Sequence, residues 1–564
     1  MLTLRILCQI LQLHDCNQSL TIQKLILVID DLAAQWVHTR PINPSPDTEE
    51  TYTLIQSWIS NCIRSHCHKN IADSSFTPSR LLKIVEMDGK FDLTVVQAGT
   101  HAPYVALSYC WGGNQEHKTT TKSLKENRGV IDYNNLPKSI RDAINITAKL
   151  RYNYLWVDSM CIIQDDDVDK SREIAQMPFI YSNALFTIAA SSAAAARDGF
   201  LRKRRETACG EMFEFLFLGA GNQIGRLRGV HVPEDEYGKA PLNARGWCLQ
   251  ERLLSTRILE YDCRQLRWIC PDSGGQNRYT DGWSKSAEAI FPHINYIPST
   301  LPEADFRETW RDIVIQYSRR NLTMASDRIL AISGIANRFG NLTDDTYIAG
   351  HWLSMLPGNL LWYADYYGYT ETKTFGPRTG VYQGPTWSWV AIDCDILWDL
   401  PALDDSWQNT LEILNYGIQL QDESALYGAV TDAVLTVKGP IKSAWCMERP
   451  YDKPSRMEIT QTKVGPGIAM VHLDAHELGI HENYDKGPVY LLAVSSKERS
   501  QDDRFTYGLV LKEELSANVV KRYSRLGTFS LTPSFPSDSI TDVLEKRRLL
   551  GLFDDCKKYV IELI

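Results

Sequence analysis

Between residues 101 and 190 the chain alternates short apolar runs with helical patterns, and this alternation restricts the fold more than any other part of the sequence. The apolar runs YVALSYCW, YLWVDSMCII and LFTIAAS are separated by two segments with helical spacing, LPKSIRDAINITAKL and DKSREIAQMPFIYSNA. Apolar strands that alternate with helices are typical of a parallel sheet covered by helices on both faces. We therefore predict an α/β domain built on a parallel sheet.

The texture of the sequence changes on either side of this domain. Beyond residue 384 the runs GPTWSWVAI, AVLTVKGPI, GPVYLLAVSS and FTYGLVL are short, aromatic or β-branched, and bounded by turn residues, which indicates strands. We predict a mainly helical N-terminal region at 1–95, the α/β domain at 96–270, a helical region at 271–370 and a β-rich C-terminal domain at 371–564.

Bulk properties exclude several classes of protein. A chain of 564 residues is long for one core and predicts two or three domains. The net charge of -9 and the isolated basic run RKRRE argue against a nucleic-acid-binding protein. No window approaches the roughly 18 apolar residues of a membrane span, and the first residues lack a signal-peptide cleavage site. Thirteen cysteines, an odd number, predict free thiols in a reducing compartment, and we expect a cytoplasmic protein.

One cluster has the composition of a metal site, the segment NCIRSHCHKN with Cys62, His66, Cys67 and His68. A structural zinc site normally draws on two well-separated ligand pairs, and no convincing second pair follows. We therefore predict a helix with half-buried Cys and His side chains and no metal.

Polar and small residues follow the first two predicted strands. In α/β sheets ligands bind beyond the carboxyl ends of the parallel strands. Asp158 follows the second strand, and the first strand ends in the candidate ligand-binding residues Ser108, Tyr109, Trp111, Gly112 and Gly113. The two glycines admit close approach of a ligand to the backbone, or else they only form a tight turn from strand to helix.

The second helical segment, from 168 to 184, follows the acidic run DDDVD, which we interpret as a cap at the helix start. Its apolar face predicts ordinary core packing. Pro178 lies inside the segment and predicts either a kink or a new first turn.

The segment ARGWCLQERLLSTRILEY, 244–261, has helical spacing and places a carboxylate among apolar residues. At about 100° per residue, Glu251 lies on the same face as Trp247 and Ile258. A buried ionised carboxylate needs a partner or a chemical role, because burying an unpaired charge is costly. The structural alternative is an ion pair with Arg245, Arg252 or Arg257.

Three blocks, YVALSYCWGG, LWVDSMCIIQDDDVDKSREIAQMPFIYSNALFTIAASS and ARGWCLQERLLSTRILEY, together resemble the fungal heterokaryon incompatibility (HET) domain. The resemblance implies a cytoplasmic fungal protein whose family triggers cell death after incompatible hyphae fuse. It also implies a distant relationship to the TIR domain, a flavodoxin-like parallel sheet with flanking helices used in immune signalling.

Some TIR domains cleave NAD, and their catalytic glutamate lies in a W-C-x-x-E segment that Trp247, Cys248 and Glu251 repeat. The resemblance therefore implies Glu251 as a catalytic carboxylate, NAD as a substrate and no required cofactor. Cleavage of the nicotinamide–ribose bond passes through an oxocarbenium-like state, which one carboxylate can stabilise. Trp111 or Trp247 would contact the ligand, and Arg245 would contact phosphate.

The alternative function is a non-enzymatic scaffold, since many TIR domains act by assembling with each other or with adaptors. Under this hypothesis the helix around 174–184 presents the contact surface. The partners implied are a second copy of the domain and an unidentified protein partner or trigger.

Overall fold

A computed structural model of the chain shows two compact units, Met1–Ser299 and Thr300–Ile564. Side chains are described for residues 43–65, 76–99, 102–204, 240–263, 265–270, 280–281, 306–365, 378, 380–398, 407–445, 469–475, 488–500, 503–515, 519–533 and 549–564. The backbone alone is described for residues 14–15, 18–19, 24–27, 212–218, 224–230, 279, 303–305, 446–448 and 457–460. Within these parts of the chain, no helix is both long enough and apolar enough to cross a bilayer.

The first unit is organised around a sheet of nine described strands. In chain order they are β1 (Arg80–Met87), β2 (Lys90–Gln97), β3 (Val105–Ser108), β4 (Val130–Ile131), β5 (Tyr154–Trp156), β6 (Thr187–Ala189), β7 (Ile258–Tyr261), β8 (Leu266–Ile269) and β9 (Tyr279–Thr280). Their spatial order is β9-β8-β7-β6-β3-β5-β1-β2-β4.

Four neighbouring strands at the centre of this sheet are parallel. β3 pairs with β5 on one side and with β6 on the other, and β6 pairs with β7. Numbered along the chain, their spatial order is 2-1-3-4, the order in which flavodoxin-like sheets begin. The predicted parallel core is confirmed, but the strands on both flanks of it are antiparallel. Because the order reverses on either side of β3, its carboxyl end lies at the topological switch point where α/β sheets bind ligands.

Helices cover the parallel strands and bury them. The described helices of this unit are α1 (Glu49–Ser65), α2 (Thr121–Glu126), α3 (Lys138–Lys149), α4 (Asp158–Cys161), α5 (Asp167–Asn183) and α6 (Gly246–Leu254). All residues of β3 and β6 are buried, as expected for strands covered on both faces. The core includes Trp156, Ile180 and Phe186, each fully shielded from solvent.

Helix α5 begins as the sequence predicts. The Asp166 side chain accepts hydrogen bonds from the backbone N–H groups of Val168 and Asp169, which satisfies two donors of the first turn. The helix continues through Pro178 to Asn183, so no new first turn begins at the proline. Met177 on the predicted apolar face is buried in the core.

Two predictions for this unit are wrong in part. Residues 80–95, included in the mainly helical region, belong to the antiparallel strands β1 and β2, which extend to Gln97. The helix predicted over 244–261 ends at Leu254, and Ile258–Tyr261 forms strand β7 beside β6. The three apolar or aromatic positions of ILEY fit either structure, and pairing with β6 decides between them. Ile258 is therefore not on the helical face that carries Glu251.

Short strands outside the main sheet complete the first unit. His14–Asp15 pairs with Gln18–Ser19, and Ile224–Val230 pairs with both Met212–Leu218 and Lys24–Leu27.

In its described residues, the second unit combines two α-helices with a sheet of nine strands. The helices are α7 (Glu303–Ser318) and α8 (Leu330–Thr343). The strands are β10 (Gln408–Asn409), β11 (Glu412–Leu420), β12 (Val430–Glu448), β13 (Met457–Thr460), β14 (Ala469–Leu473), β15 (Val489–Ser500), β16 (Asp503–Glu514), β17 (Arg522–Leu531) and β18 (Lys558–Leu563). Two short ladders, Tyr347–Ile348 with His351–Trp352 and Tyr363–Ala364 with Ile396–Leu397, lie outside that sheet.

The β-rich C-terminal region is confirmed, although its helical neighbour is part of the same compact unit. The predicted strand GPTWSWVAI is wrong, since Trp389–Ala391 form a turn of 3-10 helix. A buried ion pair lies in this unit, where the Arg525 guanidinium donates to the Asp474 carboxylate over 2.7 and 2.9 Å.

Candidate functional site

The carboxyl end of β3 meets the helix that precedes β7. The Ser108 hydroxyl, on the last residue of β3, donates a hydrogen bond to the Glu251 carboxylate of α6. At the other end of the same helix, the Ser255 and Thr187 hydroxyls lie 2.7 Å apart at the start of β6. The helix therefore runs antiparallel to the strands, and its first turns lie at the switch-point edge of the sheet.

Glu251 is 6% exposed, and its surroundings favour a carboxyl that is half ionised near neutral pH. Burial raises the pKa of Glu251 from 4.5 to about 7, although the Ser108 hydrogen bond and the charge of Arg245 act to lower it. The Cys248 thiol also forms a hydrogen bond with the carboxylate, and burial, followed by the nearby charge of Glu251, raises the pKa of the Tyr181 hydroxyl well above its usual value. A carboxyl with a pKa near 7 suits proton transfer at physiological pH.

A second carboxylate lies at the same edge of the sheet. Asp158 directly follows β5 and begins α4, and its Oδ2 accepts a hydrogen bond of 2.8 Å from the Trp111 indole Nε1. Burial raises the pKa of Asp158, against the lowering effects of the Trp111 hydrogen bond and the Arg245 charge. The charge of Asp158 also raises the pKa of Glu251, so ionisation of one carboxyl disfavours ionisation of the other.

Arg245 is the cation shared by these two acids. It occupies the N-cap position of α6, and its charge lowers the pKa of both Glu251 and Asp158. Burial acts to lower the pKa of Arg245, but the neighbouring acidic groups, of which Cys248 has the largest effect, raise it above its usual value. The guanidinium therefore stays charged at the N-terminus of the helix.

The ion-pair alternatives for Glu251 are narrowed by the structure. Arg252 donates to Glu260 over 2.9 Å, and the Arg257 Nε donates to the Cys62 thiol over 3.3 Å. Of the three arginines considered from the sequence, Arg245 has the charge that most lowers the pKa of Glu251.

The remaining predicted residues have supporting positions. The Tyr109 hydroxyl is buried and donates to the Ser159 hydroxyl over 2.9 Å. Burial, followed by the charge of Asp158, raises the pKa of Tyr109 well above its usual value. Trp247 is half buried against the main core. Tyr109 and Trp247 therefore contribute mainly to packing near Glu251 and Asp158.

The two glycines after β3 differ in what surrounds them. Gly112 has a φ of +69°, and a Cβ at this position would lie 2.1 Å from the Ala195 Cβ. Gly113 has a φ of +121°, and no atom lies within 4 Å of where its Cβ would be. Gly112 is therefore required by the turn and by packing within the chain, whereas only Gly113 presents open backbone.

A small cleft opens beside the Ser108–Glu251 pair and contains about 260 Å³ of space between atoms. It is lined by Ser108, Thr187, Ala189, Leu242, Asn243, Cys248, Arg252 and Ile258. That volume includes open solvent, and the enclosed part is far too small for a dinucleotide, so a dinucleotide enters only if the site widens.

The sequence did not predict an ion cluster that lies on strand β7. Glu260 of β7 is 1% exposed, pairs with Arg252 and Arg267, and accepts a 2.8 Å hydrogen bond from the Ser191 hydroxyl. Burial opposes ionisation of Glu260, but the two arginines hold its pKa far below its usual value. The signal in the sequence was a glutamate inside the otherwise uncharged strand ILEY.

The predicted absence of a metal at Cys62 stays a prediction. Cys62 is buried on α1, and His66, Cys67 and His68 lie outside the described residues. Elsewhere in the described parts, no group of three or more His, Cys, Asp or Glu side chains is placed to hold a metal ion.

Comparison with known proteins gives a family match in the first unit and a short match to a named relative. Residues 104–251 match the model of the heterokaryon incompatibility protein (HET) family, a range that begins just before β3 and ends at Glu251. A stretch of 89 residues is 33% identical to heterokaryon incompatibility protein 6, OR allele, of Neurospora crassa, and covers 14% of this chain and 13% of that relative. No solved structure matches the chain significantly. Residues 104–251 of this chain therefore form a domain of the HET family.

Proposed function

We propose that the protein acts in fungal non-self recognition and triggers cell death by cleaving NAD between nicotinamide and ribose. The family match and the similarity to an incompatibility protein support the biological role. The observation that carries the chemistry is Glu251, a buried carboxyl with a pKa near 7 at the carboxyl end of β3. The strand order 2-1-3-4 supports the proposed kinship with TIR domains.

The reaction needs a carboxylate more than it needs an acid. Nicotinamide leaves as a neutral molecule and requires no protonation, while positive charge develops on the ribose ring. An ionised Glu251 beside the ring stabilises this charge, and the low-polarity surroundings that raise its pKa strengthen the attraction. Arg245, at the N-terminus of α6, is placed to receive the diphosphate.

The closed cleft indicates that a conformational change precedes the chemical step. Glu251 is 6% exposed, so the site must widen before NAD reaches the carboxylate. We propose that self-assembly of HET domains in the cytoplasm favours this wider form, which makes activity depend on protein concentration.

The test is release of nicotinamide from NAD by the purified full chain, at low and high protein concentration. Glu251→Gln preserves the volume of the side chain and removes its charge, and we expect release to fall by roughly 10²–10⁴-fold. The matched control is Glu173→Gln, since Glu173 is also buried but pairs with Arg80 and Arg172, at 3.7 and 3.5 Å. The control is expected to retain activity, with folding of both variants checked by thermal unfolding.

The second candidate is a scaffold that acts by assembly without cleaving NAD. The closed cleft favours it, as does exposure of Phe179, 44%, on the helix proposed as a contact surface. Assembly with NAD left intact would contradict the enzymatic proposal, whereas full activity in Glu251→Gln would contradict the catalytic role of Glu251.

A further inference from the structure

Ser108 and Glu251 form a hydrogen-bonded hydroxyl–carboxylate pair inside the proposed site. Ser108 is 4% exposed, and its hydroxyl donates to Glu251 while also lining the cleft. We propose that Ser108 accepts the ADP-ribosyl group in some turnovers, so that NAD cleavage modifies and progressively inactivates the protein. This inference rests on the proposed function and names a second acceptor besides water.

The arrangement has the parts of an activated nucleophile. Such sites place a hydroxyl within hydrogen-bond reach of a base, and a third group orients the base. Here the Cys248 thiol forms a hydrogen bond with the Glu251 carboxylate and orients it. The neighbouring Tyr181 hydroxyl donates to the Leu107 carbonyl over 3.1 Å, on the strand that ends in Ser108.

Position favours Ser108 over water as the acceptor. A nucleophile that the fold already holds beside the reacting centre has a high effective concentration, whereas water must enter a nearly closed cleft. The cleft also contains apolar side chains, among them Leu242 and Ile258, which hold water weakly. Hydrolysis and transfer to Ser108 therefore compete.

A neighbouring pair shows what distinguishes Ser108. The Ser191 hydroxyl donates to Glu260 over 2.8 Å, again from a buried serine to a buried glutamate. Arg252 and Arg267 keep Glu260 ionised and occupied, so it is a poor proton acceptor. At Glu251 the effect of burial exceeds that of the Arg245 charge, so its pKa is high enough to take up a proton at neutral pH.

The proposed step balances without a further reactant. The bond between ribose C1′ and the nicotinamide nitrogen breaks, and its electron pair leaves with neutral nicotinamide. A lone pair of the Ser108 Oγ forms the new bond to C1′, and the Ser108 proton moves to the Glu251 carboxylate it already contacts. The product is an O-glycosidic ADP-ribosyl serine, with no change in oxidation state.

The experiment follows nicotinamide release and protein modification in the same reaction of the full chain with NAD. Peptide mass spectrometry is expected to place a single ADP-ribosyl group on Ser108, and release is expected to slow as this adduct accumulates. Ser108→Ala should lose the adduct, and whatever initial rate of release remains after loss of the contact with Glu251 should not decline over the time in which wild type slows. Ser191→Ala is the matched control and should behave like wild type, since Ser191 contacts Glu260 instead.

The outcomes separate this inference from the function on which it rests. Nicotinamide release with all ADP-ribose free in solution, or with the adduct on another residue, overturns the role of Ser108 and leaves NAD cleavage standing. No release by folded protein overturns both. Should Ser108→Ala fail to fold, the site of the adduct in wild type still decides.

Discussion

Ser108 and Glu251 are 143 positions apart in the chain, and the Ser108 hydroxyl donates a hydrogen bond to the Glu251 carboxylate. The contact joins the carboxyl end of β3, the first parallel strand, to α6, the helix that precedes the fourth parallel strand, β7. It places a carboxyl with a pKa near 7 at the switch point of the sheet. The chemistry that we propose for the HET domain depends on this contact.

The first prediction concerns the pH dependence of NAD cleavage. Because the proposed reaction needs ionised Glu251 and burial raises its pKa to about 7, kcat/KM for nicotinamide release should rise with pH and level off above that value. Initial rates measured across neutral pH test this. A flat profile between about pH 5 and pH 8 would show that another group carries the reaction.

The second prediction concerns stability. The pKa of Glu251 is higher in the folded protein than its usual 4.5, so the folded state binds the proton more tightly and loses stability as pH rises from 4.5 to about 7. This difference corresponds to on the order of 3 kcal/mol. Glu251→Gln should therefore raise the unfolding midpoint at alkaline pH and change it little at acid pH, which thermal scans at the two pH values measure.

Glu260→Gln should have the opposite effect on stability. The ionised Glu260 forms ion pairs with Arg252 and Arg267. Burial acts to raise the pKa of Glu260, but the charges of the two arginines outweigh burial and hold the pKa far below its usual value. Stability from this carboxylate is present above the usual pKa and is lost as pH falls. Removing the charge leaves the two guanidinium groups without their carboxylate partner, which lowers the free energy of unfolding by about 3–5 kcal/mol at neutral pH. A variant as stable as wild type in urea unfolding would contradict this account.

The two glycines after β3 should respond differently to alanine. Gly112→Ala adds a Cβ that would lie 2.1 Å from the Ala195 Cβ, in a left-handed backbone conformation. We expect a loss of about 3 kcal/mol from strain and overpacking together. Gly113→Ala meets no atom within 4 Å, so only backbone strain of roughly 1–2 kcal/mol applies. Chemical denaturation of both variants compares them, and equal losses would show that the Ala195 contact is unimportant.

Local patterns predicted the central elements well. The strands β3, β5 and β6 and the helices α3 and α5 lie where apolar runs and helical spacing placed them, and Asp166 caps α5 as the acidic run indicated. The segment 244–261 was predicted wrongly because ILEY fits a helix or a strand equally well. Its pairing with β6, about 70 residues away, is a nonlocal contact that periodicity does not contain.

The residue types of the candidate site, and their positions at strand ends, are readable from the chain alone. Ser108, Asp158 and Glu251 follow or interrupt apolar segments, where a polar side chain needs a partner or a role. Their contacts are not readable in the same way. Arg245, Arg252 and Arg257 were equal candidates for Glu251, and only packing directs Arg252 to Glu260 and Arg257 to Cys62.

The amino-acid sequence alone thus specified a parallel α/β core, the family of its domain and a carboxylate on an apolar helical face, since these depend on residue order and spacing. Tertiary structure decided that Glu251 is held by Ser108 and protonates near neutral pH, while Glu260, nine residues later, stays ionised. The reason is physical, because a pKa depends on burial and on charges that distant segments bring within a few ångströms.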